Sequence, residues 1–535
     1  MVSAGRALPA GVTGAARHRD AAISTFAVVP VSVLAGAAGL LWLLRADRYP
    51  HFGDELYFLM AGRNLAVGYV DQGPVVALVA RVADLAAPGS LMALRAPAVL
   101  AAVAAVLLTA VLAREFGGGT YAQVLAALAY ATCPFALSQA AALSTFALEV
   151  TCSALVVWFV VRWARTRDPR LIPVALAVAA LGLQIKWLAL VVPAGLAAGI
   201  ALAGPRALWR QRVLWVAVPV AALSALPGVV WQARHGWPQW AMGEVIRAEQ
   251  TPATGGRIGL PGHQFVQAGV LGTVLVVAAI VGFLRYDGLR RYRFVAVAAA
   301  VALLFVVVTA TRPYYTAALL PAVLAAGAVA LTAWSGRWIR GVAVGSGVLA
   351  AALAVAAVLV LPLESADRPS DSAAQVYTRL RMSGTSGWPV LTATVLRAYR
   401  DLPANIRDRT VIVTDTYWQA SGLEYLAGAQ LPPVYSPNRG YISFGRPPDS
   451  TGSVLYVGSA RGRAALCGHF RTAATVAAAD DPLGFPGISR FVTVAHCAGP
   501  VRPWSEIWSH TATLALDMGV ATGPDTDRSS RRSDK

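Results

Sequence analysis

The sequence predicts a mainly α, polytopic membrane protein of about eleven transmembrane helices with a small α/β domain at its C-terminal end, and three observations carry that expectation. The first is composition: of 535 residues, 57% are hydrophobic and 13% charged, against about 25% charged in soluble domains. Keeping charge out of long stretches is tolerable where lipid is the solvent, because an ionised group at mid-bilayer costs about 3 kcal/mol or more. The second is a succession of apolar stretches near the ~20-residue length of a spanning helix. The third is a change of character after Leu363, where Ser, Asp, Arg and Pro rise and short β-type runs appear: "TVIVTD", "SVLYVG" and "RFVTVAHC".

The apolar stretches fall at roughly 24–45, 93–113, 119–138, 147–165, 171–186, 187–204, 213–231, 265–284, 294–311, 316–334 and 341–361. The connections 119–138/147–165 and 171–186/187–204 are short enough to admit a merged or re-entrant arrangement. The Arg clusters order the spans. Arg162, Arg165, Arg167 and Arg170 flank one loop, Arg206, Arg210 and Arg212 the next, Arg285, Arg290, Arg291 and Arg293 a third, and Arg337 and Arg340 the last. By the positive-inside rule these are cytoplasmic, as is the tail 1–23, and an odd number of crossings delivers the domain 362–518 to the outside of the plasma membrane. The formal net charge of +18 is then a topology signal, and nucleic acid is not an expected partner. No cleavable signal peptide is expected, because the first apolar run is too long for an h-region, so the first span stays as an anchor. In the C-terminal part, helices are expected near 371–382 and 418–427, and the tail 519–535 reads as disordered.

Two outer loops, 46–92 and 232–264, interrupt the spanning domain 24–361 and hold most of the polar chemistry. The first reads as a turn at Pro50 to Gly53, an amphipathic helix from Asp54, and an extended break at Gln72-Gly73-Pro74. Asp54 and Glu55 start that helix, where acids also occur for dipole reasons alone. Asp71, Glu149 and Lys186 join them near the expected outer span ends, so several ionisable groups could converge on one cavity. A carboxylate there can take a proton from an acceptor hydroxyl, while Lys and Arg hold a phosphate whose charge grows as a bond breaks. Blander roles stay open: Glu149 as an interhelically paired acid, Lys186 snorkelling to the interface. Tyr314 and Tyr315, beside Arg312, serve equally as interfacial belt residues or as a binding wall, and the same choice holds for Trp237 in the second loop, near His235. Cys133 and Cys152 lie in apolar spans as packing residues. Cys467 and Cys497 are candidates for a disulfide outside the cytoplasm, with a free or metal-binding role alongside His469 and His496 as the weaker alternative.

Five segments in order, "FGDELYFLMAGRNLAVGYVDQGP" at 52–74, "LSTFALEV" at 143–150, "LGLQIKW" at 181–187, "LPGVVWQARHGWPQ" at 226–239 and "RPYYTAALLPAVLAAGA" at 312–328, resemble the bacterial polyprenyl-phosphate-dependent membrane glycosyltransferases of the GT-C type, family 39-like. That family is related to the protein O-mannosyltransferases and the lipid A aminoarabinose transferases. The resemblance implies a GT-C-like fold and transfer of a sugar from a polyprenyl-phosphate donor to a glycan, lipid or protein acceptor on the outer face. It makes Asp54 the catalytic base, with Glu55 orienting it or the acceptor, Lys186 a holder of the donor phosphate and Arg63 a helper. Where relatives read "TTFDLL", this chain has Thr145-Phe146-Ala147-Leu148-Glu149. Counting back from Trp158 places Glu149 at the family acid, and a two-residue shift places Ala147 there instead. Carboxylates also leave a divalent cation open without giving it a selective geometry. A transporter or flippase of a lipid-linked saccharide, which would carry broken helices in symmetric halves, and a non-catalytic cell-envelope scaffold are the competing readings.

Overall fold

The computed structural model describes residues 23–334, 336–363 and 373–516. The expected tails 1–23 and 519–535 lie outside these residues, apart from Ile23. Among the described residues, seven helices are long and apolar enough to cross a membrane: Leu91–Glu115, Thr145–Thr166, Arg212–Arg234, Gly256–Arg285, Asp287–Thr309, Pro313–Ala333 and Arg337–Val360. Three further apolar helices, Val28–Leu44, Leu171–Ile185 and Trp187–Ala203, are shorter. Each of these occupies a stretch anticipated from hydropathy, and the protein is a multi-pass membrane protein.

Two anticipated spans are interrupted: Gly256–Arg285 is kinked at Gly269, whose backbone is not helical (φ 71°, ψ −170°), and 119–138 is broken outright. Over 119–138 the helix Thr120–Thr132 stops at Cys133, whose backbone is extended (ψ 141°), and a separate turn of helix, Pro134–Gln139, begins. Proline lacks the N–H the helix would need and pushes the residue before it out of the α region. A second break separates Leu171–Ile185 from the turn at Trp187: Lys186 is extended (φ −157°, ψ 136°), which turns its side chain out of the helical array. Packing in the bundle relies on small residues. At Gly327 a methyl group would sit 1.9 Å from the Leu275 carbonyl oxygen, so glycine lets helices Leu320–Ala333 and Gly256–Arg285 cross in contact.

The loop 46–92 contains two helices, Gly53–Arg63 and Pro74–Ala86. The first begins one residue before Asp54, and Gln72-Gly73 form the break before Pro74. The loop 232–264 holds helix Pro238–Thr254 and the start of Gly256–Arg285.

The C-terminal domain, expected to be soluble, is built on a five-stranded sheet, β1 (Thr410–Thr414), β2 (Val434–Tyr435), β3 (Ser453–Gly458), β4 (Phe470–Ala479) and β5 (Val492–Pro500), in the order β2-β1-β3-β5-β4. Strands β2, β1 and β3 are parallel, whereas β5 pairs antiparallel with both β3 and β4. Alternation along each strand sorts side chains to two faces. Ile412, Leu455 and Val457 meet Trp388, Val395 and Leu423 on the bundle side, while Val413, Val454 and Tyr456 meet Leu466, Trp504 and Ile507 on the other. The bundle-side core also takes in Leu56, Tyr57 and Phe58 of helix Gly53–Arg63, so the sheet and the loop helix bury one shared apolar surface. The three β-type runs seen in the sequence are β1, β3 and β5. Strand β4 is Ala-rich and carries no strand signal of its own; its pairing with β5 overrides propensity.

Cys467, at the end of helix Ala460–Cys467, is disulfide-bonded to Cys497 in β5, with a Cα–Cα distance of 5.8 Å and a sequence separation of 30. Closing a loop of that length removes about 3–4 kcal/mol of denatured-state freedom in the chain-entropy account. The Cys467→Ser/Cys497→Ser double variant should therefore unfold the soluble domain at lower temperature. Non-reducing peptide mapping of the wild type should recover the linked pair, and free thiols at both positions would reject the bond.

Candidate active site between the helix ends and the soluble domain

A small cavity of about 50 Å³ lies where the loop helix, the ends of the bundle helices and the soluble domain meet. Its polar lining comes from segments far apart in sequence: Asp54, Asp71, Gln72, Lys186, Arg312 and, from the soluble domain, Tyr417 and Arg439.

Asp54 is in the first turn of its helix. Its Oδ1 accepts hydrogen bonds from the Tyr417 hydroxyl at 2.6 Å and from Trp418 Nε1 at 2.9 Å. The Trp418 indole can lie against the helix start because residue 53 is glycine: a methyl group there would stand 2.1 Å from the ring. Burial and the neighbouring Asp54 carboxylate push the Tyr417 phenol well above its ordinary pKa, so it stays a proton donor. Arg439 Nη1 in turn donates to the Tyr417 oxygen at 3.3 Å, its Nε donates to the Leu514 carbonyl at 2.8 Å, and its Nη2 is ion-paired with Glu249. Arg439 has a positive φ of 47°, an uncommon backbone for a non-glycine residue, of the kind that surrounding structure holds at functional sites.

On the other side of the cavity Lys186 Nζ stands 3.2 Å from Asp71 Oδ2 and 5.1 Å from the Phe146 ring centroid. Burial alone would raise the Asp71 pKa, but Lys186 and Arg312 outweigh it and hold the carboxyl below its ordinary range. Arg312 Nη1 donates to the Tyr314 hydroxyl at 2.8 Å. Arg312 Nε and the Gln72 amide Nε2 are buried with no hydrogen-bond partner among the described residues. An orphaned buried donor costs about 1–3 kcal/mol, so two of them beside an ammonium mark a place built to receive acceptor oxygens, as an anion supplies.

The other residues singled out in the sequence lie around this cavity or away from it. Tyr314 and Tyr315 back Phe146, with ring centroids 4.8 and 5.7 Å from it. Glu149 is buried one helical turn deeper than Thr145, and its Oε1 accepts from the Ser153 hydroxyl at 2.9 Å. Glu55 turns away from the cavity. Fully buried, it accepts from Arg95 Nε (2.8 Å) and Nη2 (2.6 Å), Leu143 N (2.8 Å) and Phe52 N (2.9 Å). Arg63 lies at the far end of the loop helix, about 14 Å along the axis from Asp54 at 1.5 Å per residue. It pairs with Asp84 at 3.6 Å and covers the Tyr425 ring. His235 is exposed and stacks on Trp231 with centroids 4.0 Å apart, and Trp237 is exposed. Arg312, Gln72, Tyr417 and Arg439 were not among the residues assigned to a site from the sequence; only Arg312 had a signal, its place beside the tyrosines.

No group of three or more His, Cys, Asp or Glu side chains is arranged to hold a metal ion among the described residues. Of the cavity carboxylates, Asp71 faces Lys186 through Oδ2, and Asp54 accepts from Tyr417 and Trp418 at Oδ1.

Residues 71–231 match a family model described as dolichyl-phosphate-mannose-protein mannosyltransferase. The fold is similar to that of ArnT from Cupriavidus metallidurans bound to undecaprenyl phosphate, with a TM-score of 0.59 at 13% identity over 87% of this chain and 97% of that one. It is likewise similar to ArnT from the same organism in the apo state, with a TM-score of 0.56 at 15% identity over 88% and 98% of the two chains. No curated protein matches the chain in sequence.

Proposed function

We propose that this chain, which has the GT-C glycosyltransferase fold and a mannosyltransferase-family segment at 71–231, transfers a sugar from a polyprenyl-phosphate donor to an acceptor hydroxyl on the outer face of the plasma membrane. One observation carries the reading: a carboxylate, Asp54, shares a cavity with Lys186 and with Arg312 and Gln72, each of which has an unpartnered buried donor. The fold likeness adds that a relative in this architecture binds undecaprenyl phosphate. The disulfide in the soluble domain favours an oxidising compartment, in keeping with the outward placement that the Arg clusters imply.

The chemistry follows from the two sides of the cavity. Asp54 takes the proton of the acceptor hydroxyl as its oxygen attacks the anomeric carbon. The bond from that carbon to the phosphate oxygen breaks, and its electron pair leaves with the polyprenyl phosphate. Lys186 and Arg312 meet the charge that grows on that oxygen, where a low-dielectric site makes such contacts strongest. Asp71 orients Lys186. Tyr417 presently gives Asp54 the hydrogen bond that an acceptor hydroxyl would give, so the acceptor takes the place of the phenol.

The test is transfer of label from polyprenyl-phosphate sugars by the purified full chain, with a native membrane extract supplying acceptors. Lys186→Gln should raise the donor KM about 10- to 100-fold, the size of a lost charge-assisted hydrogen bond of about 1.5–3 kcal/mol. Absence of transfer from every donor, or a donor KM unaltered by Lys186→Gln, would remove this reading.

A further inference from the structure

A second and larger cavity, about 550 Å³, lies in the soluble domain on the other side of the Glu249–Arg439 ion pair. Its position follows from the sheet. The chain leaving β1 enters helix Tyr417–Ala427 on the bundle side, whereas the chain leaving β3 enters helix Ala460–Cys467 on the opposite side. Two adjacent parallel strands whose following helices diverge leave a crevice outside their carboxyl ends, and this is where open α/β sheets bind ligands. The volume is in the range of small-molecule sites. Helix Pro238–Thr254 closes the crevice through Glu249 and Pro252, and the segment Thr511–Leu516 closes it from the other side.

The lining selects a class of ligand. Asp415, just after β1, accepts from the backbone N–H and hydroxyl of Ser459 at 3.2 and 2.7 Å. Its carboxylate thereby occupies the first turn of helix Ala460–Cys467, the place a phosphate would otherwise take. Glu249 adds a second carboxylate across the crevice, Arg461 supplies donors, and His510, whose Nδ1 donates to the Glu506 carbonyl at 2.7 Å, offers its other ring nitrogen. Leu466, Pro437 and Leu516 put apolar surface between these polar groups. Acceptors, donors and apolar strips without a surplus of cations suit a neutral ring that carries hydroxyls at its edge and C–H groups on its faces.

The crevice is also tied to the catalytic cavity. Asp415 lines the one and Tyr417, two residues on, reaches Asp54 in the other. Glu249 faces the crevice while its partner Arg439 faces Asp54's cavity. We infer that the crevice binds sugar residues of the acceptor, which makes the acceptor a neutral oligo- or polysaccharide whose reacting end passes the Glu249–Arg439 pair to reach Asp54. This identification of the acceptor rests on the transfer reading above; the carbohydrate site itself does not.

The test is binding of neutral linear trisaccharides, mannotriose and maltotriose among them, to the full chain in detergent, followed by saturation-transfer NMR. Ala465 is exposed on helix Ala460–Cys467 and lines the crevice, so Ala465→Trp fills the space from a tolerant position, and Arg461→Ala removes an exposed donor. At least one trisaccharide should bind the wild type, and both variants should weaken it about tenfold or more while leaving undecaprenyl-phosphate binding unchanged. No binding by any trisaccharide, or binding that neither variant alters, overturns the crevice as a carbohydrate site. If Ala465→Trp does not fold, Arg461→Ala decides alone. Undecaprenyl-phosphate binding and donor turnover report on the Asp54 cavity separately. Saccharide binding lost in the variants of a chain that turns over no donor would keep the carbohydrate site and remove both the transfer reading and the acceptor identification.

Discussion

Asp54→Asn is expected to lower sugar transfer by about 10³-fold or more with the protein still folded and inserted. The amide keeps the shape of the carboxylate, and its oxygen can still accept from Tyr417 and Trp418, which hold Oδ1 at 2.6 and 2.9 Å. What it loses is the capacity to take a proton, and a positioned general base contributes about 10²–10⁴-fold. Tyr417→Phe provides the contrast. It removes one of the two donors to Asp54 and vacates the position assigned to the acceptor hydroxyl, so kcat should change by less than about tenfold. The measurement is initial-rate transfer from labelled donor at saturating concentration, per folded molecule judged by size-exclusion profile. Near-normal transfer by Asp54→Asn would eliminate the base role; a Tyr417→Phe loss as deep as that of Asp54→Asn would mean that the phenol takes part in the chemistry.

The membrane part was legible because lipid imposes a simple rule on composition, and hydropathy located each apolar helix to within several residues. The rule does not register a local interruption such as those at Cys133-Pro134 and Gly269. Lys186 could be singled out as the lone cation in an apolar stretch, and Asp54 as an acid just beyond the first apolar stretch. What the sequence could not resolve was direction. Asp54 and Glu55 are neighbours, but consecutive residues on a helix point about 100° apart, and here one faces the cavity and the other the bundle. Arg63 shares the helix with them, yet the rise per residue carries it to the opposite end. Tyr417 and Arg439 lie more than 350 residues beyond Asp54, in a region without a recognisable catalytic motif, so their arrival at the carboxylate depends on docking of the sheet against the loop helix. Docking is itself a matter of apolar area: Leu56, Tyr57 and Phe58 share a core with Trp418 and Leu423, and Trp388 Nε1 fixes the register by donating to the His51 carbonyl at 2.8 Å.

The buried pair of Glu55 and Arg95 should show its importance in stability and not in chemistry. Neither side chain is exposed, and their oxygen and nitrogen approach to 2.6 Å. Arg95 also donates to the carbonyls of Ala46, Tyr49 and Pro50 at 2.5, 2.9 and 2.9 Å, so it ties the end of the first apolar helix to the start of the Asp54 helix. Removing one member of a buried pair strands the other, at a cost of about 3–5 kcal/mol. Arg95→Leu should therefore give little folded protein, since it leaves the Glu55 charge with only the Leu143 and Phe52 N–H groups and no counter-ion, and takes from three carbonyls the donor they have here. Glu55→Gln is the milder and more informative change: its amide oxygen can still accept from Leu143 N or Arg95, but the charge opposite Arg95 is gone. Its midpoint of thermal inactivation in detergent should fall clearly, while the rate per folded molecule stays within about tenfold of wild type. A fall in rate to the level of Asp54→Asn without a loss of stability would assign the chemistry to Glu55. The reverse pattern leaves the base role to Asp54, the one carboxylate of the adjacent pair that lines the cavity, because Glu55 is committed to Arg95, Leu143 and Phe52.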